Sequence, residues 1–273
     1  MTVIALGSVR SCGLTTLGVA LAATWPDDRQ ILLCECDPAG GTLAATAGLP
    51  SEPGTVSLAA AARRDSDPEV VWSHTHELLG GAAVLAGPAL PEQASSAIAM
   101  LGALLERLGE LSADIVIDCG RLADAFPQSI AESADRLVLA TRPALADLHA
   151  VAAWIEVHRD QQEGISLVLI GEGPYSNSEV TEALGVPVLA RLPWDRDAAA
   201  LLVSTPVTSR ELNRAPLIRS VRTLAGQLCG TPRDSGDSEV PSPTVTPRFR
   251  RIRPGRLERS EVSAKALLAE LCL

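Results

Sequence analysis

Gly7-Ser8-Val9-Arg10-Ser11-Cys12-Gly13-Leu14-Thr15-Thr16 is a loop of mostly small residues set between two apolar runs. Before it, Thr2-Val3-Ile4-Ala5-Leu6 reads as a buried strand; after it, Leu14 to Thr24 reads as an apolar helix. A strand, a small-residue loop and a helix N-terminus make a concavity where backbone N–H groups and aligned peptide dipoles hold a phosphate. Such loops ordinarily end Gly-Lys-[Ser/Thr]. Here the end is Gly13-Leu14-Thr15, so an alkyl chain occupies the position that most needs a cation.

The rest of the chain bounds what can surround this loop. Its 273 residues are 47% hydrophobic, enough for one large core plus a tail. Aromatics make up only 3%, so Ala, Val and Leu must build the core, as suits helices packed on a parallel sheet. The net charge of −10 argues against non-specific nucleic-acid binding by the body. That charge is uneven: residues 248–273 hold seven basic and three acidic residues, net +4, which leaves −14 elsewhere. Lys265 is the only lysine, so arginine carries nearly all the positive charge. No charged leader with a cleavage site opens the sequence, and no apolar run reaches membrane-spanning length. Six scattered cysteines without a framework fit a reducing compartment, and a cytoplasmic chain is expected.

Apolar strand-like runs alternate with helical patterns over the first ~200 residues. Strands are expected at Thr2–Leu6, Ile31–Glu35, Ala82–Ala86, Asp114–Ile117, Arg136–Thr141, Ser166–Ile170 and Val186–Ala190. Helices are expected at Leu14–Thr24, Pro68–Leu79, Pro91–Leu108, Ala144–Asp160, Ser178–Leu184 and near Ser209–Leu228. Strands separated by helices imply right-handed crossovers, hence an α/β fold with a doubly wound, mostly parallel sheet flanked by helices. Ligands of such sheets sit beyond the carboxyl ends of the strands. Residues 230–247, rich in Pro, Ser, Thr, Gly and Asp, read as a flexible linker between a 1–229 domain and a 248–273 tail.

Two acidic strand ends accompany the loop. The second strand runs Leu32-Leu33-Cys34-Glu35-Cys36-Asp37-Pro38-Ala39-Gly40-Gly41-Thr42-Leu43, and the fourth ends Ile115-Val116-Ile117-Asp118-Cys119-Gly120. Asp37 also reads as an Asx-type turn or helix cap. Cys12, Cys36 and Cys119 can converge at one sheet edge, but their spacing matches no zinc pattern and small buried residues are expected. His74 and His76 are expected to be solvated on a polar helix.

With its order of strand ends, residues 1–228 resemble the MinD/ParA family of deviant Walker-type P-loop ATPases, a group that includes pilus-assembly CpaE/TadZ-like proteins. Further echoes lie in Gly81–Pro88, in Ala134-Asp135-Arg136-Leu137-Val138-Leu139-Ala140-Thr141-Arg142-Pro143 and in Leu184–Asp195. The resemblance implies a P-loop NTPase-like sheet of seven or eight strands, ATP and Mg²⁺ as ligands, and a homodimer. It implies that Arg10, Ser11, Cys12, Gly13, Leu14, Thr15 and Thr16 form the nucleotide loop. Thr15 and Asp118 would hold Mg²⁺, and Asp37 would orient the attacking water. The departures are large. The family's two lysines correspond to Val9 and Leu14, and two loop glycines to Arg10 and Ser11. The strand that commonly ends in a base-reading asparagine here ends Leu169-Ile170-Gly171-Glu172-Gly173.

One lost charge-assisted hydrogen bond weakens phosphate binding roughly 10–100-fold. Catalysis suffers more, since cations on a transferring phosphoryl group are worth about 10³–10⁵ in rate. A degenerate site with weak or lost ATP–Mg²⁺ binding is the first expectation, in a dimerising positioning or assembly scaffold. A slow Mg-ATPase using Arg10 or a partner's arginine, in partitioning, septum placement or pilus and secretion assembly, is the second. A structural adaptor whose loop is a turn that binds no nucleotide is the third. The tail carries Arg248, Arg250, Arg251 and Arg253, and its closing stretch sets Val262, Ala266, Leu267, Leu271 and Leu273 on one helical face. Partner docking, a membrane surface at the inner face and nucleic acid are its three outlets, in that order.

Overall fold

The structure is a computed structural model that describes residues 1–64, 67–78, 81–107, 110–122, 130, 134–158, 164–203 and 212–229. The linker 230–247 and the tail, with Arg248, Arg250, Arg251, Arg253, Leu267 and Leu271, lie outside the described residues.

The strands are β1 (Val3–Ser8), β2 (Gln30–Glu35), β3 (His76–Glu77), β4 (Ala83–Leu85), β5 (Ala113–Arg121), β6 (Arg136–Thr141), β7 (Ile165–Ile170) and β8 (Val188–Leu192). They form one eight-stranded sheet in the order β3-β4-β2-β5-β1-β6-β7-β8, parallel except for the β3–β4 edge pair. The helices are α1 (Leu14–Thr24), α2 (Leu43–Ala47), α3 (Thr55–Ala61), α4 (Pro91–Arg107), α5 (Leu145–His158), α6 (Asn177–Leu184), α7 (Arg196–Leu202) and α8 (Pro216–Cys229). A doubly wound α/β sheet flanked by helices is thus the observed architecture.

Period-two alternation feeds two cores. Along β1, Val3 and Ala5 enter one cluster with Ile115 and Ile117 of β5, under α3 to α6. Ile4 and Leu6 enter the other, with Val116 of β5, under α1, α7 and α8. Both faces of the central strands are therefore buried, which explains their unbroken apolar runs. Helix α1 lies between the sheet and α8, which leaves eight of its eleven residues buried. That is why it reads as apolar all round rather than as amphipathic.

Several expectations need correction. Over the described part of the helix expected at Pro68–Leu79, residues 68–78, there is no α-helix. Asp67 accepts from the amide of Glu69 and opens a 3₁₀ turn over Pro68–His74, after which His76 and Glu77 pair antiparallel with β4. Edge pairing has overridden local helical pattern there. His74 and His76 are partly buried rather than solvated: His74 Nδ1 lies 2.8 Å from Ser57 Oγ, and His76 Nε2 lies 2.8 Å from the Pro53 carbonyl. Strand β5 runs on to Arg121, beyond the expected end at Ile117, because its pairing with β1 continues to Ser8↔Arg121. Strand β8 starts two residues late, since Pro187 has no N–H and contributes only its carbonyl, to the Leu167 amide. The last helix begins at Pro216, a residue suited to a first turn; residues 204–211 lie outside the described residues.

Candidate functional site

Strand β1 delivers the loop 9–13 to the carboxyl edge of the sheet between β5 and β6. Gly13 closes the loop at φ 89°, a left-handed turn that suits glycine, and α1 starts there with no side-chain cap. Its first-turn amides therefore have no partner from a capping side chain and face the loop. Arg10 and Ser11 are exposed, Thr15 and Thr16 half-buried. Leu14 is 6% exposed and belongs to the core cluster under α1, α7 and α8. Its alkyl side chain supplies no cation to the loop. The Arg10 guanidinium reaches instead toward Asp147 in the first turn of α5, with Nε 3.8 Å from Oδ1. Cys12 is buried, its thiol directed at the Ala140 carbonyl, and burial pushes its pKa up to about 12. It is no nucleophile at neutral pH.

Asp118 lies on the α1 face of β5. Its Oδ1 accepts from the Gly120 amide (2.9 Å), while its Oδ2 is buried with no hydrogen-bond partner. Burial raises its pKa to about 6; contact with Thr15 and the Gly120 amide pull down, and the negative charges of Glu35 and Asp37 push up. Asp37 follows β2 and is half-buried, with Oδ1 accepting from the Ala39 amide (2.8 Å). Burial raises its pKa, and the Ala39 amide and Arg121 oppose the shift. The two carboxylates meet through Gly120. A Cβ at that residue would lie 2.0 Å from Asp37 Cγ, so the carboxylate packs flat on bare backbone.

Glu35, to which the sequence assigned no role, fixes this arrangement. Buried at the end of β2, it accepts from the amides of Thr42 (2.8 Å) and Leu43 (2.9 Å) with Oε1, and of Gly87 (2.9 Å) with Oε2. Burial raises its pKa and those three amides oppose it. One carboxylate thereby ties the Asp37 turn to the loop after β4. Glutamate inside the apolar run Leu32–Cys36 was the available signal.

On the other side of the loop, toward β7 and β8, a cavity of about 220 Å³ opens between Gly13, Ile170, Leu192, Trp194, Arg196 and Leu217. Its walls are mostly apolar. Trp194 is 52% exposed, and the Arg142 guanidinium sits 4.9 Å from its ring centroid. Four distant segments build this pocket, so no local pattern announces it.

Among the described residues no three His, Cys, Asp or Glu side chains are grouped to hold a metal ion alone. The donor set fits Mg²⁺ that shares its ligands with a phosphate. An orphaned buried carboxylate oxygen beside a threonine hydroxyl supplies one or two protein ligands, the usual number when phosphate oxygens and water complete the octahedron.

No family model and no curated protein matches the sequence. Solved structures do match the fold. A ParA family ATPase from Chlorobium tepidum TLS superposes with a TM-score of 0.70 at 17% identity, over 82% of this chain and 98% of that chain. The chain has the MinD/ParA-type fold. The septum site-determining protein MinD of Pyrococcus horikoshii OT3, complexed with Mg-ADP, gives 0.64 at 19% identity over 83% and 95%. The MinC:MinD cell division complex of Aquifex aeolicus gives 0.64 at 13% over 87% and 99%. At these identities the MinD/ParA-type likeness is one of architecture.

Proposed function

We propose that this chain is a MinD/ParA-like positioning or assembly factor whose nucleotide site has kept its cradle and lost its cations. The observation that carries this is the pairing of opposites at one loop. Leu14 is buried in the core where a phosphate-binding lysine would stand, while Thr15, Asp118 and Asp37 remain together at the strand ends. In a bound complex, residues 10–16 would wrap the phosphates with backbone amides, and Thr15 and Asp118 would hold Mg²⁺, which would supply screening of phosphate charge. Asp37 would accept a hydrogen bond from a water at the far side, and the cavity beside Trp194 would take the base. Without Lys at Val9 or Leu14, binding is weak and hydrolysis slow or absent.

Residues 1–229 form the domain, 230–247 the linker, and 248–273 the docking tail for a partner protein. The MinD in the MinC:MinD complex binds a partner protein, which supports a docking role on this architecture. Dimerisation and a cytoplasmic site of action, with the tail available to the inner membrane surface, complete the reading. Among the described residues no helix is long and apolar enough to cross a membrane.

Retention of both carboxylates favours a second reading, a slow Mg-ATPase completed by a partner's arginine. Calorimetric titration with ATP, ADP and a non-hydrolysable analogue, with and without Mg²⁺, tests both. Micromolar binding lost in Thr15→Ala is expected. Silence up to millimolar nucleotide removes the nucleotide from the function and leaves a scaffold.

A further inference from the structure

Resting on that nucleotide reading, we infer that Arg121 is the residue of this chain that contacts the terminal phosphate, in place of the missing lysines. Strand order sets the direction of the ligand. The cavity at Trp194 lies on the β7–β8 side of the phosphate loop, whereas Asp118 and Asp37 lie on the β5–β2 side. A nucleotide with its base in that cavity crosses the loop and ends against β5. Arg121 is the last residue of β5, three beyond Asp118 and in register with Ser8, where the loop begins. The amide of Leu122 donates to the Ser8 carbonyl (2.8 Å), which pins the backbone just after this arginine to the start of the loop.

Of the other arginines near the loop, Arg10 faces Asp147, while Arg142 over Trp194 and Arg196 on the cavity wall stand on the base side. Arg121 is exposed, and neither the Arg10–Asp147 nor the Arg29–Asp114 ion pair includes it. Its charge already acts on Asp37, which touches Gly120 next door. A guanidinium so placed presents a planar fork to phosphate oxygens, and reaches a third phosphate rather than the second because it stands on the carboxylate side.

The test compares wild type, Arg121→Ala, Arg121→Lys and Thr15→Ala by titration with Mg-ADP and with Mg and a non-hydrolysable ATP analogue. Expected are a loss of roughly 10–100-fold in triphosphate affinity for Arg121→Ala, little change for ADP, and an intermediate loss for Arg121→Lys. Unchanged triphosphate binding in Arg121→Ala, with wild-type binding that Thr15→Ala abolishes, overturns the assignment and leaves the nucleotide site standing. An equal loss on both nucleotides overturns the terminal-phosphate position. Absence of binding in wild type brings down both inferences. Arg121 is a surface side chain, so melting temperatures within about 1–2 °C of wild type are expected throughout.

Discussion

Asp118 states the chemistry of the site most sharply, because it is a charge kept where charge is costly. It is 2% exposed and one of its oxygens has no partner. Its folded-state pKa of about 6 lies above the ordinary 3.8, so between those values the native state holds a proton that the unfolded chain releases. Stability therefore falls as pH rises through that window, and above it the protein carries a penalty on the order of 2–3 kcal/mol. A bound cation offsets this penalty. Asp118→Asn keeps an acceptor for the Gly120 amide and removes the charge. In buffer with chelator, variant and wild type should melt together near pH 4, and the variant should be more stable by about 2 kcal/mol at pH 7.5. Thermal unfolding at the two pH values decides this; parallel curves would mean that Asp118 is solvated and ordinary.

At the scale of elements, legibility followed the source of each element's stability. Strands buried on both faces, such as Leu32–Glu35 and Leu137–Thr141, announced themselves because burial demands apolar side chains at every position. The short helices α2, α3 and α7 did not, since seven residues or fewer are held by neighbours rather than by a pattern of their own. The same division runs through the site. The sequence drew attention to Gly13 and Asp37 at turns, to Thr15 in the first turn of α1, and to Asp118 where a charge interrupts the apolar run of β5. Glu35 and the Trp194 cavity are defined by contacts 7 to 52 residues away or by four separate segments, and sequence reading passed over their roles. One such long contact invites a test. Arg29 donates to Asp114 Oδ1 (2.6 Å) and, through its other nitrogen, to the Cys229 carbonyl (3.3 Å) and Sγ (3.0 Å). It clamps the end of α8 to the amino edge of β5. Arg29→Ala leaves Asp114 with the Thr2 amide and the Trp25 indole, so the expected cost is about 2 kcal/mol rather than that of a fully orphaned charge. Hydrogen exchange should quicken first in the last turn of α8, and uniform quickening across the sheet would refute a local clamp.

For the whole molecule, the proposed boundary after residue 229 is argued from which surfaces need covering. Helix α8 buries Ile218, Val221, Leu224 and Leu228 against α1 and the face of the sheet beneath it. At about 1.5–3 kcal/mol for each fully buried side chain, those four contribute roughly 6–12 kcal/mol, comparable to the ~5–15 kcal/mol total of a typical domain. Nothing of that kind is expected from residues 230–273, where the first eighteen are mostly Pro, Ser, Thr, Gly and Asp and the remainder is a basic segment with one short apolar face. Two truncations separate these cases. Residues 1–229 should purify as a folded protein that melts within about 2 °C of full length and titrates nucleotide identically, because the loop, both carboxylates and the Trp194 cavity lie wholly within it. Residues 1–214 should fail to fold or aggregate, because removing α8 leaves Leu17, Leu21 and Leu202 of the same core facing water. Size-exclusion chromatography and thermal unfolding of the two fragments give the answer. A 1–229 fragment that melts well below full length would mean that the basic tail packs on the acidic body, and would count against the proposed docking of a partner through a free tail.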